Sequence, residues 1–249
     1  MGKNQLDNES KLLAEYLTWA RKPRVIGTLL PMIIYRGHSD ITWNISPTIC
    51  RKGYPPDILK QSEKEIIDEY RLRLGLSDWP DINLLAYARH HGAPTRLVDW
   101  SQNPLIALWF AVEDKNYDKI DGKVFQFLPH QSNDQVCVAL QFKLDNAENC
   151  KCGRRIHLFQ CPPVTERARN QKSIFTITSF EDNSFMQPLN EIVTNTPKEA
   201  LRSFRIDSSM KKKLRVLLGD LHLDAYSIYG GADGLGKAID LKFDITEHK

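Results

Sequence analysis

The stretch HHGAPTRLVDWSQNPLIALWFA, residues 90–111, decides the reading of the fold. Its second half opens a helix. Asn103 stands where an N-cap accepts a first-turn amide, and Pro104 takes the first helical position, where a missing N–H costs nothing. NPLIALWFAVED, residues 103–114, is apolar nearly all round, so this helix is expected to be buried against other elements. The first half packs two imidazoles, a guanidinium and a carboxylate into ten residues, which a buried helix does not require. The Pro94–Thr95 turn places Arg96 and Asp99 three residues apart, able to pair and fix the loop. Asp99 and Asn103 are expected to satisfy the amides of the helix start, and with Trp100 they are assigned structural roles. His91 and Arg96 are candidates to line a cleft. The role of Arg96 is electrostatic, because a guanidinium does not give up its proton.

Outward from this block, residues 8–21 carry Leu12, Leu13, Tyr16, Leu17 and Ala20 at helical spacing, with Asn8 or Ser10 as cap. MIIYRG, residues 32–37, is short and β-branched and reads as a strand. Residues 62–75 and 82–92 read as helices closed by glycine. The pattern then turns to strands: GKVFQFL, VCVALQF, RIHLF, KSIFTIT and LRSFRI. SSMKKKLRVLLGDLHL predicts a helix with Met210, Leu214, Leu217, Leu218 and Leu221 on one face, capped by Ser208 or Ser209. AYSIYG follows as a last strand. Helices lead and strands dominate later, which predicts an α+β fold in one compact domain over residues 1–249.

A chain of 249 residues with 41% hydrophobic side chains can bury a substantial core. No run approaches the roughly 20 apolar residues of a membrane span. The polar start MGKNQLDNES predicts no secretory leader, and five cysteines is an odd number; both favour a reduced, cytoplasmic protein. Cys150, Cys152, His157 and Cys161 form a C-x-C-x4-H-x3-C cluster that invites zinc. Against it, His157 alternates with Ile156 and Leu158 as on the watered side of a strand. No Walker A loop, G-x-G-x-x-G or H-E-x-x-H occurs, and GGADGLG at 230–236 spaces its glycines wrongly for a phosphate loop. The net charge of +3 is unevenly spread: residues 198–215 hold seven basic residues against two acids. Lys211, Lys212, Lys213 and Arg215 are therefore candidates to contact a nucleic acid, the alternative being a solvated helix face.

YRGHSDITWNISPTICR (35–51), ARHHGAPTRLVDWSQNPLIALWFAVED (88–114) and RARNQKSIFTIT (167–178) together resemble the FRG domain family, named for a Phe/Tyr-Arg-Gly motif. The resemblance spans roughly residues 30–240. The order of motifs is also similar to the Arg-Ser-Glu class of ADP-ribosyltransferases. That second resemblance implies a mostly antiparallel, transferase-like sheet and NAD as co-substrate. Tyr35, Arg36, Gly37, His91, Arg96, Phe175 and Thr176 would then bind NAD, with Arg36 on its phosphates.

Breaking the nicotinamide–ribose bond passes through an oxocarbenium-like state, for which a carboxylate is wanted. Arg36, Thr176 and Asp233 form the catalytic expectation. The sequence departs from the transferase pattern in lacking a Glu-x-Glu or Gln-x-Glu pair near the last strand, which leaves Glu181 and Glu191 open as the acid. The resemblance implies an ADP-ribosyltransferase used as a toxin or in antiviral defence against phage. Its target would be a macromolecule, RNA favoured over protein, and an antitoxin protein would be a partner. The alternatives are a non-catalytic FRG module that binds a nucleotide or a protein, and an NAD glycohydrolase.

Overall fold

A computed structural model of the chain describes residues 7–21, 33–129, 136–139, 156–160, 165–180, 184–193 and 200–246. In chain order these form α1 (Asn8–Ala20), β1 (Ile34–His38), α2 (Pro56–Leu74), α3 (Asp81–His90), β2 (Val98–Ser101) and α4 (Pro104–Val112). Then come β3 (Gly122–Phe127), β4 (Val136–Ala139), β5 (Ile156–Phe159), α5 (Glu166–Asn170), β6 (Ser173–Thr178) and α6 (Leu189–Ile192). β7 (Leu201–Ile206), α7 (Ser208–Asp220), α8 (Ala225–Tyr229) and α9 (Gly231–Thr246) close the chain. The fold is α+β. Two compact units divide it, each assembled from separate stretches of chain.

The first unit comprises Met1–Trp43, Ser101–Phe127 and Arg202–Lys249. β1 lies between β3 and the last residue of β2, antiparallel to both, with Arg36 opposite Phe125 and His38 opposite Lys123. β7 follows at the edge beyond β3. Helix α4 packs on β1 so closely that a Cβ on Gly37 would stand 1.9 Å from the Ala107 carbonyl oxygen and 2.7 Å from the Ala111 nitrogen. Only glycine admits that approach. Tyr35, two residues earlier and so on the same face, is buried and donates its hydroxyl to the Ala20 carbonyl at 2.7 Å. The pleat therefore turns Arg36 and His38 to the opposite face.

Asn103 caps α4 as expected, its side chain accepting the Leu105 amide at 2.9 Å. The caps of α1 and α7 are Asp7 and Asp207, each just before the serine or asparagine the sequence suggested. AYSIYG is a helix, not a strand: Asp224 and Ser227 close a capping box that overrides the β-branched and aromatic composition. The glycine-rich GGADGLG lies at the start of α9.

The second unit comprises Asn44–Trp100 and Leu128–Leu201. Its strand order is β4-β5-β6-β2, with β4 and β5 parallel and β5 and β6 antiparallel. α2 and α3 contribute Ile67, Ile82, Leu84 and Leu85 to a core shared with Phe159, Phe175 and Ile177. Every residue of β5 and of β6 is buried, so both faces of these strands are covered. His157, expected on a watered face, is accordingly 1% exposed. Cys150, Cys152 and Cys161 lie outside the described residues. Among the described residues, no group of three or more His, Cys, Asp or Glu could hold a metal ion, and no helix is long and apolar enough to cross a membrane.

Candidate functional site

In the first unit, strand alternation and register bring a basic and aromatic set to the face of β1 and β3 away from α4. Arg36, half-buried, donates its Nε–H to Nε2 of His38 at 3.0 Å. A guanidinium can only donate, so Nε2 is the acceptor, the imidazole is neutral, and its proton sits on Nδ1. Nδ1 faces the Trp43 carbonyl at 3.2 Å and donates to it. The His38 ring is edge-on to Phe125, with centroids 5.3 Å apart, and to Trp43 at 6.1 Å. Trp43, 36% exposed, stands edge-on to Tyr117 at 4.9 Å. The Lys123 ammonium lies 4.6 Å from the centre of the Phe125 ring. Burial lowers the Lys123 pKa, with the Asp40 carboxylate opposing. Asp40 is itself held by the Thr42 amide and hydroxyl, both at 2.7 Å, which keep its carboxyl below the usual range.

This face offers two cations and the rings of Trp43 and Tyr117, over a buried imidazole, His38, and a buried ring, Phe125. Cations neutralise phosphates, with arginine able to fork two oxygens, and rings stack on bases. Of its residues the sequence singled out Arg36. His38 follows from the two-residue strand period, whereas Trp43, Tyr117, Lys123 and Phe125 come from two loops and a neighbouring strand that no local pattern connects.

Tyr35 and Gly37 face α4 and the core, so their roles there are packing. Asp233 is exposed in the first turn of α9. Of the four cations expected to meet a nucleic acid, Lys211 is 0% exposed and Arg215 is 7% exposed. Arg215 donates to the Val112 carbonyl at 2.7 Å and pairs with Asp118. Lys212 and Lys213 are exposed. The buried stripe of α7 is Lys211, Leu214, Arg215 and Leu218, at the i, i+3, i+4, i+7 spacing of a core face that happens to include two cations.

In the second unit, Arg96 does not pair with Asp99; with Val98, Thr176 and Leu189 it lines a small pocket. It is 1% exposed and ion-paired with Glu63, which is 2% exposed, through Nε and Oε1 at 2.7 Å. Its backbone amide donates to Oε2 at 2.9 Å, its Nη1 to the Thr178 carbonyl at 2.9 Å, and its guanidinium stacks 3.5 Å from the Phe180 ring centre. Asp99 pairs instead with Arg89, ten residues back on α3, with Nε at 2.9 Å from Oδ2. Thr176 is 1% exposed and accepts the Trp100 indole N–H at 3.0 Å, while Phe175 belongs to the core. Thr176 borders the same small pocket as Arg96, and Phe175 does not. Trp100 is itself buried.

His91 is exposed at the end of α3, its ring 4.5 Å from that of Tyr87. The buried imidazole is its neighbour: His90 is 4% exposed, and burial pushes its pKa down to about 4. Glu191 lies exposed in α6, and Glu181 is outside the described residues.

Residues 31–119 match the model of the FRG domain, a stretch that holds β1 and the whole HHGAPTRLVDW block. No curated protein and no solved structure matches the chain.

Proposed function

With the FRG match over residues 31–119 as the premise, we propose that this protein binds a phosphorylated nucleotide on the basic and aromatic face of β1 and β3. The contact of Arg36 Nε with His38 Nε2 at 3.0 Å carries the reading. It turns the guanidinium by its inner N–H and fixes the plane in which its terminal nitrogens meet a phosphate. Lys123 adds a second cation, and Trp43 and Tyr117 offer ring surface to a base. NAD is the nucleotide to test first, since it combines a pyrophosphate with two aromatic heterocycles. Titration calorimetry with NAD, ADP and ATP tests the reading. Arg36→Ala is expected to weaken binding at least about tenfold, or about 1.4 kcal/mol, with the melting temperature little changed. A wild-type protein that binds none of the three, or an Arg36→Ala variant that binds as well, overturns it.

A second reading adds chemistry: transfer of ADP-ribose from NAD to a macromolecule, or hydrolysis of NAD. Its acid would be Asp233, an exposed carboxylate of the unit that also holds Arg36. Incubation with labelled NAD and either RNA or cell lysate separates transfer, hydrolysis and binding alone.

A further inference from the structure

Among the three consecutive lysines of α7, Lys211 alone is fully buried. Burying an ammonium is costly unless its hydrogens find acceptors. Here Nζ donates to the Tyr117 carbonyl at 2.7 Å and to the Ser39 carbonyl. Room for the stem is provided by Gly122, where a Cβ would come within 3.2 Å of the Lys211 Cε. Desolvation lowers the Lys211 pKa, while the carboxylates of Asp118, Asp40 and Asp121 act to raise it and Arg215 acts to lower it.

The two carbonyls are not arbitrary. Ser39 follows His38, whose imidazole orients Arg36, and Tyr117 is the ring against which Trp43 stands. Trp43 in turn accepts the His38 Nδ1 proton on its carbonyl. The links close a circuit: Lys211 to Ser39, Ser39 along the chain to His38, His38 to Trp43, Trp43 to Tyr117, and Tyr117 back to Lys211.

We infer that Lys211 is a positioning residue for the nucleotide face, a strut that holds the end of β1 and the Tyr117 turn at the separation that seats Trp43. This rests on the nucleotide-binding reading for its functional consequence, but not for its geometry. The strut touches no ligand. It sets how far apart the phosphate-binding end and the ring-bearing end of the face stand, so it governs affinity for a ligand that spans both.

Lys211→Met keeps the stem and removes the donor. It is read in two ways: the affinity for NAD by calorimetry, and the quenching of Trp43 by acrylamide, isolated by subtracting the signal of Trp43→Phe. The expected result is NAD binding weakened about tenfold, or about 1.4 kcal/mol, and Trp43 more readily quenched, with far-ultraviolet circular dichroism unchanged. A purely structural lysine would lower the melting temperature without exposing Trp43. Normal NAD affinity and an equally shielded Trp43 in Lys211→Met overturn the inference, and if Arg36→Ala still abolishes binding the nucleotide reading stands. If the wild type binds no nucleotide, that reading fails and the quenching of Trp43 alone decides the strut. Should Lys211→Met not fold, Lys211→Gln keeps a neutral donor too short to hold both carbonyls. Trp43 that stays equally shielded in Lys211→Gln refutes the inference, and Trp43 that becomes accessible supports it.

Discussion

Removing either partner of the Arg96–Glu63 pair is expected to destabilise the second unit severely. At 1% and 2% exposure neither charge reaches water, so Glu63→Gln or Arg96→Met leaves an uncompensated ion in the interior. Such losses typically cost about 3–5 kcal/mol. The geometry places Arg96 at the upper end. Its guanidinium also holds the Thr178 carbonyl and lies on the Phe180 ring, and its backbone amide shares the same carboxylate. A total stability of about 5–15 kcal/mol is ordinary for a domain, so one substitution would remove a third or more. At a urea slope of about 2 kcal/mol per M the midpoint should fall by about 2 M. Because most of that cost is the orphaned charge, the double change Arg96→Met, Glu63→Leu should recover much of it. Urea denaturation of the two single variants and the double variant, followed by circular dichroism, makes the comparison. The reasoning is refuted if either single variant loses less than about 1 kcal/mol, or if the double variant loses the sum of the two. A fully stable Arg96→Met that no longer binds nucleotide would return Arg96 to the binding set.

Two further outcomes follow from single contacts. His90 has its pKa pushed down by burial to about 4, below the ordinary value of about 6.5, so the unfolded chain takes up its proton first. Its contribution to stability is whole above pH about 6.5 and is lost as the pH falls towards 4, amounting to about 3 kcal/mol. His90→Gln should flatten the stability profile across that window, and an unchanged slope refutes the assignment. Gly37→Ala would drive a methyl into the backbone of α4, 1.9 Å from the Ala107 oxygen, where neither main chain can yield. A loss of about 3 kcal/mol or more is expected in thermal melts, beyond the usual cost of overpacking; stability within about 0.5 kcal/mol of wild type refutes the close approach.

The helix at Asn103 was legible because its signal is local: a cap, a proline and an unbroken apolar run. The strands from Gly122, Ser173 and Leu201 were legible for the same reason. What failed was partner choice. Arg96 and Asp99 stand three positions apart, yet the partners are Glu63, 33 residues away, and Arg89 on the preceding helix. No spacing rule ranks such alternatives. Lys211 reads as a solvated lysine because a cation on a core face differs from one on the watered face only in its acceptors, which come from residues 39 and 117. Phe175 was assigned to a ligand because a strand covered on both faces has no sequence mark distinguishing it from one that borders a cleft.

The division of the chain has a consequence for its synthesis. β1 emerges early, but the unit to which it belongs is completed only by Arg202–Lys249, and the stretch Asn44–Trp100 intervenes as part of the other unit. Through most of translation the nascent chain carries β1 and the apolar α4 while β7 and α7, which contribute Ile206, Leu214 and Leu218 to the same core, are still to be made. Contacts so distant in sequence are slow to form, and unsatisfied apolar surface is exposed meanwhile. A fragment cut at residues 31–119 would be in the same position permanently, without β3 and β7 for one unit and without β4, β5 and β6 for the other. Such a fragment would be a ward of chaperones rather than a domain.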